Sequence, residues 1–213
     1  MYAIAGVSGH TGSVVAETLL GQGQQVRVIV RDAAKGAPFA ARGAEVAVAS
    51  VSDAAALTVA LTDVKGAYLL LPPNLGAEAP VESMKQLVAA IAQAVTASGV
   101  PHVVLLSSIA AQHPAGTGPI HAAHLAEIAL RATGTAITAV RAASFQDNWG
   151  ASLGMLGQGI VPTFVPPGHS FAQVSTKDIG RVAAAALVEG GRSFQVIELA
   201  GPRDTRPRMS PPR

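Results

Sequence analysis

Three glycines near the start of the chain form its strongest chemical signal. Residues 6–12 are Gly-Val-Ser-Gly-His-Thr-Gly, placed between an apolar run and an Ala-rich segment. In a strand–loop–helix unit, Gly6 permits a tight turn, Gly9 lets backbone approach a pyrophosphate, and Gly12 lets the helix pack closely on the strand. The amides at the helix N-terminus then face the anion. The pattern predicts a dinucleotide site, although a tight turn without a ligand would use the same glycines; the site residues are Gly6, Ser8, Gly9, His10, Thr11 and Gly12.

Charged residues after the second apolar run bear on which dinucleotide binds. Arg31 and Asp32 follow this run directly, and Lys35 comes shortly after them. A site for NAD places a carboxylate here for the ribose diol, whereas NADP needs a cation for its 2′-phosphate. Because Arg31 comes first, NADP is favoured, with Arg31 and Lys35 as its ligands. NAD stays open, because an exposed Arg31–Asp32 ion pair without any cofactor role also fits.

Histidines later in the chain are the next candidates for chemistry. His121 and His124 lie three residues apart in a helical segment, and His113 precedes them. Two histidines at this spacing can bind a metal, but no third ligand is evident, so no metal site is predicted. His124 is a candidate general acid or substrate contact, and a solvent-facing or hydrogen-bonded histidine is the alternative.

Short apolar runs must position these groups, and longer Ala-rich segments separate the runs. Most runs are apolar on both faces, as covered strands are; they are Tyr2–Val7, Gln25–Val30, Glu45–Ala49, Gly66–Leu71, His102–Ser107, Ala136–Val140 and Ser193–Leu199. The predicted helices are Thr11–Gly21, a short one near Pro38–Arg42, Asp53–Thr62, Glu78–Ser98, Ile120–Thr133 and Ser175–Glu189. Asp53 and Ser175 are the expected N-caps. This alternation predicts an α/β fold with a Rossmann-type doubly wound parallel sheet.

Residues 142–174 interrupt the alternation with glycines and prolines, and we expect them to form an excursion over the carboxyl edge of the sheet. The domain organisation predicted is therefore one NAD(P)-binding domain over 1–201, with 142–174 as a small substrate lobe. Residues 202–213 are rich in proline and arginine and are predicted to be a disordered basic tail.

Composition and charge exclude several classes of function. The chain of 213 residues has no cysteine, which excludes disulfides and thiolate metal sites. The chain has fifteen basic and thirteen acidic residues. Four of the basic residues and one of the acidic residues lie in 203–213, so residues 1–202 have eleven basic and twelve acidic residues. The body is thus slightly acidic, and with 4% aromatic residues it predicts no nucleic-acid partner. No apolar run is long enough to span a membrane and the N-terminus has no basic leader, so a cytoplasmic location is expected.

Several ordered segments resemble one protein family. These segments, together with the loop at 6–12, are Val26–Arg31, Ser107–Ser108, Glu127–Gly134, Ile137–Arg141, Phe145–Asn148 and Val174–Gly180. From residue 1 to about 201 the chain resembles the NmrA-like branch of the atypical short-chain dehydrogenases/reductases, including its NAD(P)H:quinone reductases. The resemblance implies a Rossmann cofactor domain with a small C-terminal substrate lobe, which is reduced here because the family's further helices are missing.

The resemblance also implies roles for residues at the strand ends. Asp53 would hold the adenine amino group, although its role as an N-cap is equally consistent. Leu70, Leu71, Pro72 and Pro73 would line the ribose and nicotinamide, and Phe145 and Asn148 would close over the nicotinamide face, with Phe145 as plain core the alternative. Ser107 and Ser108 occupy the position of an active-site hydroxyl, so Ser107 is a catalytic and cofactor-binding candidate, unless both serines serve only the turn.

One departure from the family concerns the proton donor. Classical members use Tyr-x-x-x-Lys, in which the lysine lowers the tyrosine pKa. Here the corresponding positions hold Pro119 and Ala123, and the only tyrosines are Tyr2 and Tyr68, both in early strands. The dyad is therefore absent.

Two functions are consistent with these features. The first is an NAD(P)H-dependent oxidoreductase that passes a hydride directly to a small electrophile such as a quinone, whose product solvent can protonate. The alternative is a non-enzymatic redox sensor that binds the dinucleotide and reports its oxidation state, which the missing dyad favours. The sequence indicates neither the exact substrate nor an oligomeric state.

Overall fold

The seven apolar runs form one parallel sheet in the computed structural model, which describes residues 1–72, 76, 78–160, 162, 165–166 and 168–203. The nine strands are β1 (Tyr2–Ala5), β2 (Val26–Val30), β3 (Glu45–Val48), β4 (Gly66–Leu69), β5 (His102–Ser108), β6 (Ala136–Ala142), β7 (Ser144–Phe145), β8 (Gln173–Val174) and β9 (Gln195–Leu199). The seven helices are α1 (His10–Gly21), α2 (Ala33–Ala40), α3 (Ala54–Leu61), α4 (Pro80–Ser98), α5 (His121–Arg131), α6 (Trp149–Ser152) and α7 (Thr176–Glu189). Strands β7 and β8 pair separately from the main sheet. These bounds and counts cover the described residues.

The order of the main strands, β3-β2-β1-β4-β5-β6-β9, creates a switch point beside β1. The chain first moves outward from β1 to β2 and β3, and then returns to the other side of β1 at β4. Ligands of open α/β sheets bind beyond the carboxyl ends of the strands at such a reversal. The predicted Rossmann-type doubly wound α/β fold is confirmed.

Two apolar layers hold the helices against the sheet. Leu57, Ile91 and Leu130 pack on one face from α3, α4 and α5. Leu19 and Leu187 pack on the other face from α1 and α7. All five side chains are nearly inaccessible to solvent, and the burial of each contributes about 1.5–3 kcal/mol. This packing fixes the carboxyl edge of the sheet, from which the site is built.

Local sequence explains where several elements begin and end. Asp53 and Ser175 cap α3 and α7 as predicted, since their side chains accept from the amides of Ala56 and Lys177. The helix predicted near Pro38–Arg42 is corrected to Ala33–Ala40. It begins earlier because the carboxylate of Asp32 accepts a hydrogen bond from the Ala34 amide and caps the helix there.

Residues 142–174 leave the main sheet at its carboxyl edge. They contain β7, α6, two 3-10 turns (Gln146–Asn148 and Leu153–Gln158) and β8, which pairs in parallel with β7. The predicted tail falls largely on 204–213, which lies outside the described residues, as does Pro73. In the described part of the chain, no helix combines the length and apolarity that crossing a bilayer requires.

Candidate dinucleotide and substrate site

The glycine loop joins β1 to α1, and its three glycines meet different steric conditions. Gly6 has a φ of +70°, and the side chain of Leu70 occupies the space of a Cβ there. A Cβ at Gly12 would lie 2.5 Å from the carbonyl oxygens of Ala5 and Gly6. At Gly9 a Cβ would meet only the Gly6 oxygen, at 3.4 Å. The fold itself therefore requires glycine at 6 and 12, whereas at 9 the protein leaves open space.

The first turn of α1 presents its backbone to that open space. Its N-cap is Gly9, so no side chain caps the helix, and the first amides of a helix have no acceptor within the helix itself. Ser8 and His10 are exposed, but the hydroxyl of Thr11 is buried and accepts a 2.9 Å hydrogen bond from Tyr68. The hydroxyl oxygen of Thr11 is thus engaged by Tyr68, which holds this residue in place in the first turn of α1.

A cavity of about 500 Å³ opens at the carboxyl ends of β1 to β4. The first strand contributes Gly6 and Ser8, and the fourth contributes Leu70 and Pro72. Helix α4 closes the opposite side; its lining residues are Ser83, Gln86 and Leu87. The cavity thus lies at the switch point and includes part of the glycine loop.

Arg31 lines this cavity where β2 ends, and its neighbours serve other purposes. The carboxylate of Asp32 caps α2, and no ion pair joins it to Arg31 among the described residues. Lys35 is exposed on α2 and is not among the residues that line the cavity. Arg31 therefore presents a cation at the cavity, whereas the carboxylate of Asp32 is bound to the backbone of α2.

Two serines after β3 line the cavity at the strand end where Asp53 is predicted to bind adenine. Ser50 and Ser52 line the cavity with their hydroxyl oxygens 2.8 Å apart. The carboxylate of Asp53 instead accepts from the Ala56 amide at 3.0 Å, and Asp53 is not a lining residue. Sequence reasoning missed these serines and Gln86; the only local signal was the pair of small hydroxyl residues directly after a strand.

A second cavity of about 540 Å³ lies beyond the ends of β5 and β6. Ser107, Ser108, Phe145 and Asn148 line it, and the remaining wall is largely apolar; it comprises Ile109, Ala110, Ile120, Ala142, Ala143, Ser144, Phe171 and Ala172. Because β4 pairs with β5, the two cavities open at the ends of neighbouring strands.

Asp147 anchors the segment that covers the second cavity. Its Oδ2 accepts a hydrogen bond of 3.1 Å from the Thr176 amide at the start of α7. This bond holds the pKa of the Asp147 carboxyl below its usual range, and nearby His10 acts in the same direction. The ionised carboxylate thereby ties Phe145 and Asn148 to the helix that packs against α1.

Ser107 belongs to a buried polar cluster that the sequence did not reveal. Its hydroxyl donates a 2.5 Å hydrogen bond to Oε1 of Glu127. Arg141 donates from Nε to the same oxygen at 3.0 Å and from Nη2 to Oε2 at 2.7 Å. The bond from Arg141 to Glu127 raises the pKa of the guanidinium, which stays charged. Glu127 and Arg141 are far apart in sequence from Ser107, so no local spacing could have identified the cluster.

None of the histidine candidates lines either of the two cavities. Nδ1 of His124 is 2.8 Å from the Ala111 carbonyl oxygen, so this nitrogen carries the proton and donates it. The rings of His121 and His124 stack with centroids 5.7 Å apart. His124 does not line either cavity, and the described residues contain no group of three histidines or carboxylates arranged to hold a metal.

The predicted site residues thus fall into three groups. Gly6, Ser8, Arg31, Leu70 and Pro72 meet in the first cavity, and Ser107, Phe145 and Asn148 meet in the second. Gly9, His10, Thr11 and Gly12 adjoin the first cavity through the loop. Lys35, Asp53, Leu71 and His124 line neither cavity, and their roles stay predictions.

The chain is similar to an NAD(P)H-binding family and to two oxidoreductases. A family described as NAD(P)H-binding matches residues 6–189. Quinone oxidoreductase 2 of Escherichia coli is 31% identical over 205 residues, which cover 94% of this chain and 68% of that protein. An NAD(P)H azoreductase of Xenophilus azovorans is 27% identical and is covered to the same 68%.

A solved structure supports the same assignment. The NADPH-dependent quinone oxidoreductase of Escherichia coli in complex with NADPH superposes with a TM-score of 0.81 at 29% identity. The match covers 97% of this chain and 71% of that one. These findings confirm the resemblance to NmrA-like atypical short-chain reductases, and the relatives favour the oxidoreductase over the sensor. The chain belongs to the NAD(P)H-binding family.

Proposed function

We propose that this chain is an NADPH-dependent reductase that reduces quinone-like compounds by direct hydride transfer. The observation that carries the proposal is the pair of cavities at neighbouring strand ends, one with the glycine loop and Arg31, the other largely apolar. The first suits a charged dinucleotide and the second suits a flat apolar acceptor. The relatives include a quinone oxidoreductase and an azoreductase, and this supports the substrate class.

The residues present fit a phosphorylated dinucleotide. The open space at Gly9 and the amides of the first turn of α1 suit the pyrophosphate. Arg31, with the hydroxyls of Ser50 and Ser52 on the same cavity, suits the 2′-phosphate, and Lys35 adds positive charge nearby. One carboxylate oxygen of Asp32 caps α2, and Asp32 is not among the residues that line the cavity, which disfavours it as a ligand for the ribose diol of NAD. NADPH is therefore the preferred cofactor, and NADH the weaker one.

The apolar cavity serves to position the acceptor and exclude water. When bound, NADPH supplies the hydride, and the overall reaction consumes one quinone and one proton and yields a hydroquinone and NADP⁺. Phe145 covers the acceptor from β7, and Asn148 offers amide donors on the same wall. Pro119 and Ala123 stand at the positions of the dyad, so solvent supplies the proton.

Residues 142–174 act as the substrate lobe of a single domain that spans 1–201. Phe145, Asn148, Phe171 and Ala172 all come from this segment and line the second cavity. Asp147 ties the segment to α7. The lobe is small because it consists of one strand pair, a short helix and two 3-10 turns in the described residues.

The test measures binding and turnover separately. Fluorescence titration of the purified protein with NADPH and NADH is expected to give tighter binding of NADPH. Oxidation of NADPH is then followed with a naphthoquinone and, in a second arm, with an azo dye. Steady oxidation with the quinone supports the proposal, and faster oxidation with the azo dye would change the substrate class. Tight binding without turnover of either acceptor would refute the reductase in favour of a sensor.

A further inference from the structure

Ser107, Glu127 and Arg141 form a buried polar cluster that reaches the second cavity through Ser107. Ser107 is 5% exposed and Glu127 is 4% exposed. Three hydrogen bonds join them: Ser107 to Oε1 of Glu127 at 2.5 Å, and Arg141 to Oε1 and Oε2 at 3.0 and 2.7 Å. The carboxylate is therefore shielded from water and held by two partners.

The chemistry of these groups determines which way the serine proton points. A hydroxyl has one proton to donate, and an ionised carboxylate can only accept. Arg141 donates to both oxygens of Glu127, as a guanidinium does to a carboxylate. Since Glu127 accepts the only proton of Ser107, the serine oxygen can offer its remaining lone pairs to the cavity but no hydrogen.

We propose that Glu127, held by Arg141, is a positioning residue that makes Ser107 a hydrogen-bond acceptor for a ligand with an N–H or O–H donor. This inference rests on the proposed function. Two sources offer such a donor: the carboxamide of the nicotinamide, and the hydroxyl of a reduced product. Ser107 does not bind the carbonyl oxygen of an oxidised quinone; Asn148, on the same cavity, has the donor that this oxygen needs.

The test uses pairs of similar ligands of which only one member carries the donor. The acetylpyridine analogue of NADP⁺ replaces the amide nitrogen by a methyl group, and the dimethyl ether of hydroquinone lacks both hydroxyl donors. Calorimetric dissociation constants are measured for NADP⁺ and its analogue on the free protein, and for hydroquinone and its ether on the NADP⁺ complex. In the native protein, the donor-bearing member of one pair is expected to bind about fivefold to tenfold tighter.

Two variants separate this mechanism from a structural effect. Ser107→Ala removes the acceptor and is expected to bring the ratio within that pair close to one. Glu127→Gln can turn an amide N–H toward Ser107, which redirects the serine proton into the cavity and lowers or inverts the ratio. Glu189→Gln, an exposed change of the same type on α7, is expected to keep the native ratio. Should Glu127→Gln fail to fold, Ser107→Ala alone decides.

The outcomes distinguish the two proposals. A changed ratio in the cofactor pair identifies the carboxamide as the donor, and one in the hydroquinone pair identifies the product. Unchanged ratios in Ser107→Ala overturn the inference while binding of NADP⁺ still supports the proposed function. Equal weakening of both members of each pair in Ser107→Ala would mean that the cluster is structural. Failure of NADP⁺ to bind the native protein would overturn both proposals.

Discussion

The hydroxyl of Tyr68 donates a 2.9 Å hydrogen bond to Oγ1 of Thr11, which joins β4 to the first turn of α1. Both residues are buried, and burial raises the pKa of the Tyr68 phenol above its usual value. This tyrosine therefore stays protonated and braces the glycine loop from the neighbouring strand. It does not replace the missing catalytic tyrosine, because its only proton is donated within the core.

Tyr68→Phe should lower the free energy of unfolding by about 0.5–1.5 kcal/mol, because Thr11 loses its buried donor. The affinity for NADPH should also fall modestly, since the first turn of α1 is less firmly held. Denaturant unfolding and cofactor titration measure the two effects. Tyr2→Phe is the control, because Tyr2 is also buried but is not bonded to Thr11. Equal losses in both variants would show that the Tyr68–Thr11 bond contributes nothing specific.

Gly9→Val should abolish dinucleotide binding and leave a folded protein. A Cβ at this position would contact only the Gly6 carbonyl oxygen, at 3.4 Å, so the added side chain would fit the fold but fill the space proposed for the pyrophosphate. Circular dichroism and fluorescence titration with NADPH measure fold and binding. Gly21→Ala, at the end of α1 with nothing within 4 Å, should change neither. Unchanged affinity in Gly9→Val would remove the loop from the site.

Arg31→Ala should weaken NADPH more than NADH, by roughly tenfold or more. A charge-assisted contact to a phosphate contributes about 1.5–3 kcal/mol, and only NADPH has the 2′-phosphate. Dissociation constants for both reduced cofactors measure the difference. Arg42→Ala removes an equal charge from an exposed position outside the cavity and serves as control. The assignment of Arg31 is wrong if both cofactors lose affinity equally.

His102 should make the stability of the protein depend on pH. It is buried at the start of β5, with Nε2 2.9 Å from Thr138 Oγ1 and Nδ1 without a partner among the described residues. Burial lowers the pKa of His102 in the folded protein below its ordinary value of 6.5. The unfolded chain therefore takes up the proton first. The stability contributed by neutral His102 is complete above about pH 6.5 and is lost as the pH falls through the lowered pKa.

Denaturant unfolding between about pH 5 and about pH 8 measures this dependence. His102→Gln, which has no titrating ring, should flatten the decline below about pH 6.5. His113→Gln is the control, because His113 is exposed and should keep the native profile. Parallel profiles for the native protein and His102→Gln would show that another group is responsible.

The sequence by itself determined the secondary-structure elements and the glycine loop. Strands and helices were predicted because apolar periodicity and capping residues act within a few neighbours, as at Asp53 and Ser175. The requirement for glycine at 12 is also local, since a Cβ there would meet the carbonyl oxygens of Ala5 and Gly6. At Gly6 the positive φ belongs to the turn itself, but the steric limit comes from Leu70 after β4. The Rossmann-type doubly wound class of the fold followed from this alternation and from the family resemblance, whereas the order of the strands came from the structure.

The tertiary structure alone decided what the side chains at the strand ends do. Asp53 was equally consistent with capping and with adenine binding, and only the fold shows its carboxylate on the Ala56 amide. Ser107 meets Glu127 from 20 residues away, because a helix and two neighbouring strands bring them together. Contacts of this kind depend on the packing of distant elements rather than on spacing along the chain. The direction of the serine proton, and with it the polarity of the second cavity, therefore appears only in the folded protein.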